Sequence, residues 1–131
     1  MQESQPDDEV IEFATKLFGL ARDGGAEQLA AYVDAGVDPN LANQKGDSLV
    51  MLAAYHGHAA TVAALLDRGA DPNRPNDRGQ TPLAGAVFND EPDVITALVA
   101  GGADPEAGRP SAVATAQMFE REDLLALFRS A

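Results

Sequence analysis

The sequence predicts an all-α solenoid of stacked helix-turn-helix units, and three observations predict it. The first is a period. Gly46 and Gly79 are 33 residues apart, as are Val62 and Ile95, Leu65 and Leu98, Gly69 and Gly102, Asp71 and Asp104, and Pro72 and Pro105. A repeat of that length marks units that bury their apolar faces by stacking on their neighbours. The second is that in the central units apolar residues recur at helical spacing in short stretches closed by glycine, neither longer than about three turns; such helices do not hold alone in water. The third is that the 45% hydrophobic content is mostly Ala, Leu and Val, which suits closely packed short helices.

Residues 1–9 read as an acidic, flexible tail in which Glu3, Asp7, Asp8 and Glu9 surround Pro6 with few apolar groups to anchor them. A single repeat domain is expected over 10–131, in units of about 10–42, 43–75, 76–107 and 108–131. A helical pattern begins from about Asp8, with Val10, Phe13, Leu17, Phe18 and Leu20 on its apolar face, and ends near Asp23-Gly24-Gly25. The next helix, Ala26 to Ala35, stops at Gly36, a residue suited to the left-handed conformation that closes helices. In the second unit Ser48 is placed to cap a helix over Leu49 to Tyr55, and Ala59 to Arg68 follow as its partner. The third unit repeats the plan with Thr81-Pro82, a cap followed by a first-turn proline, and with Pro92 opening the partner helix. Matching Ser111 to Thr81 gives an offset of 30, so three residues are lost from the last turn and none from the helices over Ala112 to Phe119 and Glu122 to Arg129. Charged residues on this last pair suit the polar outer face of a terminal unit.

The length of 131 residues is that of one domain. With 21 acidic and 9 basic side chains the formal charge is −12, which repels a phosphate backbone and an anionic membrane surface alike. Nucleic acid and membrane are therefore not expected as partners. The absence of cysteine removes disulfides and thiolate metal sites. MQESQPDDEV has neither the positive start nor the apolar run of a secretory signal, and no apolar run reaches membrane-spanning length. A cytoplasmic monomer without cofactor or metal is the expectation.

Four segments, GQTPLAGAV, LAAYHGH, LLDRGADPN and GGADP, match in pieces the pattern D-x-x-G-x-T-P-L-H-x-A-A-x-x-G-H followed by G-A-D-x-N. On these residues the chain resembles the ankyrin repeat, and stretches such as MLAAYHGH and NDRGQTPLAGAVF are similar to small bacterial members of that family. The resemblance implies antiparallel helix pairs, connecting turns projecting as fingers at nearly a right angle, and a concave face of finger tips and inner helices that binds partner proteins. The chain departs from the pattern in three ways. Met51, Ala84 and Ala114 replace the His of TPLH, so side-chain hydrogen bonding between turns is expected to be thinner. Asn43 and Asn76 stand where Asp is usual, and Pro72 and Pro105 where Val or Ile is common.

Counted from the TPL position, the slots before each G-H are Arg22 and Asp23, Tyr55 and His56, Phe88 and Asn89, and Met118 and Phe119. Helices stacked ~8–10 Å apart would set Tyr55, Phe88 and Met118 in one ladder. That ladder either anchors a partner, because desolvated aromatic groups dominate binding energy, or packs over neighbouring turns. Lys45, Arg74, Arg78 and Arg109 all fall in the turns. Arg78 could grip a carboxylate or phosphorylated partner there, but pairing with Asp77 or Asp47 is the commoner fate of an exposed arginine. Taken together, the expected binding residues are Tyr55, His56, Phe88, Asn89 and Phe119 on the inner face, with Lys45, Asp47, Asp77, Arg78 and Gln80 on the fingers.

The expected role is noncatalytic binding of a partner protein, as an inhibitor or regulator, with the acidic balance favouring capture of a basic one. The competing class is an enzyme or small-ligand binder built on the Asn76–Gln80 finger with Tyr55 and His56. The sequence offers it no nucleophile with a base, no GxGxxG and no Walker pattern. His58, in the G-H position, is expected from the resemblance to bond locally between turns and helices.

Overall fold

The computed structural model describes residues 6–130, and among these the secondary structure is helical apart from two isolated β-bridges. Eight helices follow one another: α1 (Pro6–Asp23), α2 (Ala26–Asp34), α3 (Leu49–Tyr55), α4 (Ala59–Asp67), α5 (Pro82–Phe88), α6 (Pro92–Ala100), α7 (Ala112–Met118) and α8 (Glu122–Ser130). Each odd-numbered helix pairs with the next in the chain, and α1, α3, α5 and α7 also pack in succession as an inner row. Helices α2, α4 and α6 form the outer row behind them.

The core runs between the rows without a break. Leu17, Leu29, Leu49, Leu65, Leu83, Ile95 and Leu98 are all essentially inaccessible to water. Each such side chain contributes ~1.5–3 kcal/mol relative to leaving it exposed, which is what holds seven- and nine-residue helices that could not persist alone. The inner helices start where the sequence places caps. Met51 N donates to Ser48 Oγ at 3.0 Å, Ala84 N to Thr81 Oγ1 at 3.3 Å and Ala114 N to Ser111 Oγ at 3.0 Å.

The first helix differs from the expectation. It begins at Pro6 and runs 18 residues, against seven for each other inner helix. Of the residues expected as a tail, 1–5 lie outside the described residues and 6–9 are helical. Val10 and Phe13 are exposed, and the buried face of α1 starts at Leu17. Phe13 instead meets Tyr32 edge-on with ring centroids 5.2 Å apart, and Lys16 Nζ lies 5.4 Å from the same ring.

Inner and outer helices are joined by a left-handed residue at one register: Gly24, Gly57, Asp90 and Glu120, with φ of 83°, 80°, 54° and 56°. The first two are glycine; in the last two a side chain accepts a conformation costing ~1–2 kcal/mol. The final connection has three residues fewer between α6 and α7 than between α4 and α5, while α7 and α8 keep the usual lengths.

Neighbouring units are also tied by side-chain bonds. Asp71 N donates to Asn40 Oδ1 at 2.7 Å and Asp104 N to Asn73 Oδ1 at 2.6 Å. His58 Nε2 lies 2.7 Å from the Arg22 carbonyl, the local role expected of it. Both acceptors, Asn40 and Asn73, close the D-P-N segments of the first and second units.

Candidate protein-binding face

Each finger is a tight turn closed on its own first residue. Asn43 Oδ1 accepts from Lys45 N at 2.9 Å and Asp47 N at 3.0 Å; Asn76 Oδ1 accepts from Arg78 N at 2.9 Å and Gln80 N at 3.0 Å. Gly46 and Gly79 supply the positive φ these turns require. The fingers are then joined through the backbone, Asp77 N to Lys45 O at 3.0 Å and Arg109 N to Gly79 O at 2.9 Å.

Asn76 is buried between two fingers and uses its amide fully. Nδ2 donates to Asp47 Oδ1 at 2.9 Å and to Gln80 Oε1 at 2.8 Å. An aspartate would keep the two backbone bonds but has no protons for these acceptors, which explains Asn at this position.

That arrangement corrects the expectation for Arg78. Asp47 is held by Asn76, and among the described residues Arg78 forms no ion pair with Asp47 or Asp77. Internal partners go to other cations. Arg68 meets Asp34 at 3.0 Å, Arg74 Nη1 donates to Asn40 O at 2.7 Å, and Arg121 bridges Asp90 at 2.8 Å and Asp123 at 3.1 Å. The hydrogen bond from Arg121 holds the Asp123 carboxyl below the usual carboxylate range, and bonds to Asp123 and then Asp90 raise the guanidinium further. Arg22, Lys45, Arg78 and Arg109 are exposed, and no side-chain partner is found for them among the described residues.

On the inner helices Tyr55, Phe88 and Met118 are 58%, 66% and 64% exposed. All three line one groove of about 270 Å³ together with Met51, Gln80 and Asn89, floored by Ala84 and Gly85. Phe119 lies outside it and meets Phe88 edge-on at 5.7 Å, while His56 meets Tyr55 at 5.5 Å. A broader groove of about 700 Å³ lies between α1 and the first finger, bordered by Ile11, Phe18, Leu41, Lys45, Asp47, Tyr55 and His56.

Tyr55 thus stands between the two grooves. The structure unites Tyr55, Gln80, Phe88 and Asn89 in one groove and Lys45, Asp47, Tyr55 and His56 in the other. Asp77 and Arg78 line neither, and His56 shares no groove with the Asn76–Gln80 finger. Sequence reasoning missed Met51 and Gly85 as groove residues; a glycine midway along a seven-residue helix was the available signal for the second.

A family model described as ankyrin repeats in three copies matches residues 17–108. This chain belongs to the ankyrin-repeat family. The matched ankyrin region covers the first three helix pairs from Leu17 onward, and α7 and α8 add a shortened fourth. The chain is 54% identical over 52 residues to an ankyrin repeat protein of Pseudomonas aeruginosa, across 40% of this chain and 30% of that relative. Its fold is similar to the crystal structure of the human ASB11 ankyrin repeat domain, with a TM-score of 0.64 and 30% identity over 68% of this chain and 40% of that one. The chain therefore spans less than half the length of either. Among the described residues no helix is long and apolar enough to cross a membrane, and no group of three or more His, Cys, Asp or Glu could hold a metal ion.

Proposed function

We propose that this ankyrin domain is a noncatalytic module that binds a partner protein through its inner face and finger tips, as an inhibitor or regulator of that partner. The observation that carries this is the exposed row of Tyr55, Phe88 and Met118, three large apolar side chains on successive inner helices lining one groove. An apolar patch of this kind on a soluble surface marks a contact site. The row supplies contact area, Asn89 and Gln80 supply polar groups in the same groove, and Lys45 and Arg78 are exposed on the fingers. The catalytic alternative finds no comparable support. Both hydrogen-bonding atoms of the Asn76 side chain are engaged within the fingers, and His56 stands in a different groove from that finger.

A net charge of −12 would steer a basic partner toward this domain during approach. An association rate that falls with added salt supports that part of the proposal, and a salt-independent rate removes it. The site itself is tested by changing Tyr55→Ala and Phe88→Ala together. Loss of the partner with an unchanged melting temperature is expected; a lowered melting temperature with binding retained would assign these rings to packing instead.

A further inference from the structure

The Asn76–Gln80 finger grips the one before it with a matched pair of donors. Asp77 N donates to Lys45 O at 3.0 Å and Asn76 Nδ2 to Asp47 Oδ1 at 2.9 Å, so a backbone carbonyl and the carboxylate two residues after it are held together. One repeat earlier, 33 residues back, the same two donors are Gln44 N and Asn43 Nδ2. Neither has a hydrogen-bond partner among the described residues, although Asn43 Oδ1 closes its own turn just as Asn76 Oδ1 does. Closing the turn needs only an acceptor, which aspartate also provides, so the stack gives no reason for an amide at position 43.

The surroundings of this finger edge define what fits there. The residues 33 before the finger are 10–14, and they are helical, part of the 18-residue α1. A groove of about 700 Å³ runs between that helix and the finger, walled by Ile11, Phe18 and Leu41 and edged by Asn43 and Gln44. The charged residues lining it are Arg22, Lys45 and Asp47, so one added carboxylate brings the lining to balance. A second copy of this chain offers no match. Its own Lys45 O and Asp47 are held by its next finger, and Gln80 and Pro110 stand at the register of Asp47 in the other two.

We infer that the free edge of the Asn43–Asp47 finger docks a carboxylate-bearing turn of the partner protein, with Gln44 N taking a backbone carbonyl and Asn43 Nδ2 the acid. The turn lies between α1 and the finger and continues the stacking already seen between the fingers. Main-chain pairing at an open edge supplies affinity, and the acid supplies specificity. The inference rests on the reading of this domain as a protein-binding module and adds what the partner must present. It concerns one acid at the contact and is compatible with a partner that is basic overall.

The test is selection of a displayed library of disulfide-constrained loops on the immobilised domain, with counter-selection on Asn43→Asp. That variant keeps both turn bonds at Oδ1 and loses only the donor, so its melting temperature is expected to fall less than that of Asn76→Asp. The expected consensus is Asp or Glu at one fixed position. Titrated as a fluorescent loop by anisotropy, it is expected to bind Asn43→Asp about 20-fold more weakly, the scale of a hydrogen bond to a charged acceptor. Exchanging the loop's acid for Ala is expected to weaken the wild type by a similar factor and Asn43→Asp not at all. Gln44→Pro removes the backbone donor at the second position of a β-turn, where proline is favoured, and is expected to weaken the loop about fivefold. A library without an acidic consensus, or full binding by Gln44→Pro, would overturn the inference; if Gln44→Pro does not melt cooperatively, the exchange of the loop's acid decides in its place. Phe88→Ala, Met118→Ala alters the inner row and not this groove. A loop released by that variant and kept by Gln44→Pro overturns the edge and leaves the inner face standing. Tighter loop binding after deletion of residues 1–5, or a dimer that Asn43→Asp dissociates, assigns the edge to this chain's own residues or to a second copy and overturns the partner's turn.

Discussion

Replacing Asn76 by aspartate brings the third finger closer to the usual ankyrin pattern, yet the structure predicts that it destabilises this domain. The two bonds accepted by Oδ1 from Arg78 N and Gln80 N survive the change, and the two donated by Nδ2 do not. One of the lost bonds runs to the Asp47 carboxylate, with a net worth of ~1.5–3 kcal/mol, and the other to the neutral Gln80 amide, worth ~1 kcal/mol. The introduced carboxyl also faces Asp47 at about 3 Å, where like charges repel by roughly 1.4–5.5 kcal/mol for an effective dielectric of 80 down to 20. Asp47 is only half-buried and can turn toward water, so the lower end of each range applies, for a total of about 4 kcal/mol. In a domain of this size that is a fall of about 15 °C in melting temperature. The sign with pH follows from the repulsion. The introduced carboxyl has a folded pKa raised above its unfolded value of ~3.9, so the penalty is full above the folded pKa and disappears as pH falls below ~3.9. Urea unfolding at neutral pH, repeated in an Asp47→Asn background, measures the coupling. Asn76→Asp should lose most of its penalty there, because an amide at position 47 can donate back. Neutrality of Asn76→Asp at pH 7, or a penalty that Asp47→Asn leaves untouched, would refute the assignment of Asn76 as the donor between fingers.

Other outcomes follow from the same geometry. Glu120→Gly relieves a left-handed backbone at φ 56° and is expected to stabilise the domain by about 1 kcal/mol in chemical denaturation. His58→Ala removes the 2.7 Å contact with the Arg22 carbonyl and is expected to cost about 1–2 kcal/mol, read by the same assay. The Asp123 carboxyl, held down by the hydrogen bond from Arg121, titrates below the ordinary carboxylate range by NMR and returns toward it in Arg121→Gln. Because its folded pKa is depressed, any stability it lends is present above the unfolded carboxylate pKa and is lost as pH falls through the folded value.

The period, the helix boundaries and the caps were legible because they depend on local chemistry. Ser48, Thr81 and Ser111 cap wherever a helix begins after them, and Leu65 and Leu98 mark a buried stripe in any context. The helical spacing of Val10 and Phe13 marked the helix but not their exposure, because burial depends on what packs against a face and spacing is blind to neighbours. For Arg78 the sequence left two fates open, pairing with Asp77 or Asp47 or a free guanidinium, and the structure shows no ion pair to either while Asn76 donates to Asp47. Competition of that kind is decided by which donor is buried closest to the acceptor, a property of two stacked fingers together. Gly85 was passed over because attention falls on glycines in turns; what singles it out is the empty space above it in three dimensions.

Under the proposed function, one face of the inner helices and fingers binds a protein while the rest of the repeat builds the stack. Its most direct test is affinity capture from the source cell with quantitative mass spectrometry, comparing the wild-type domain with a Phe88→Ala, Arg78→Ala variant of equal melting temperature. A specific partner retained by the wild type and lost with the variant is the expected result. Equal recovery of the same proteins by both would contradict it.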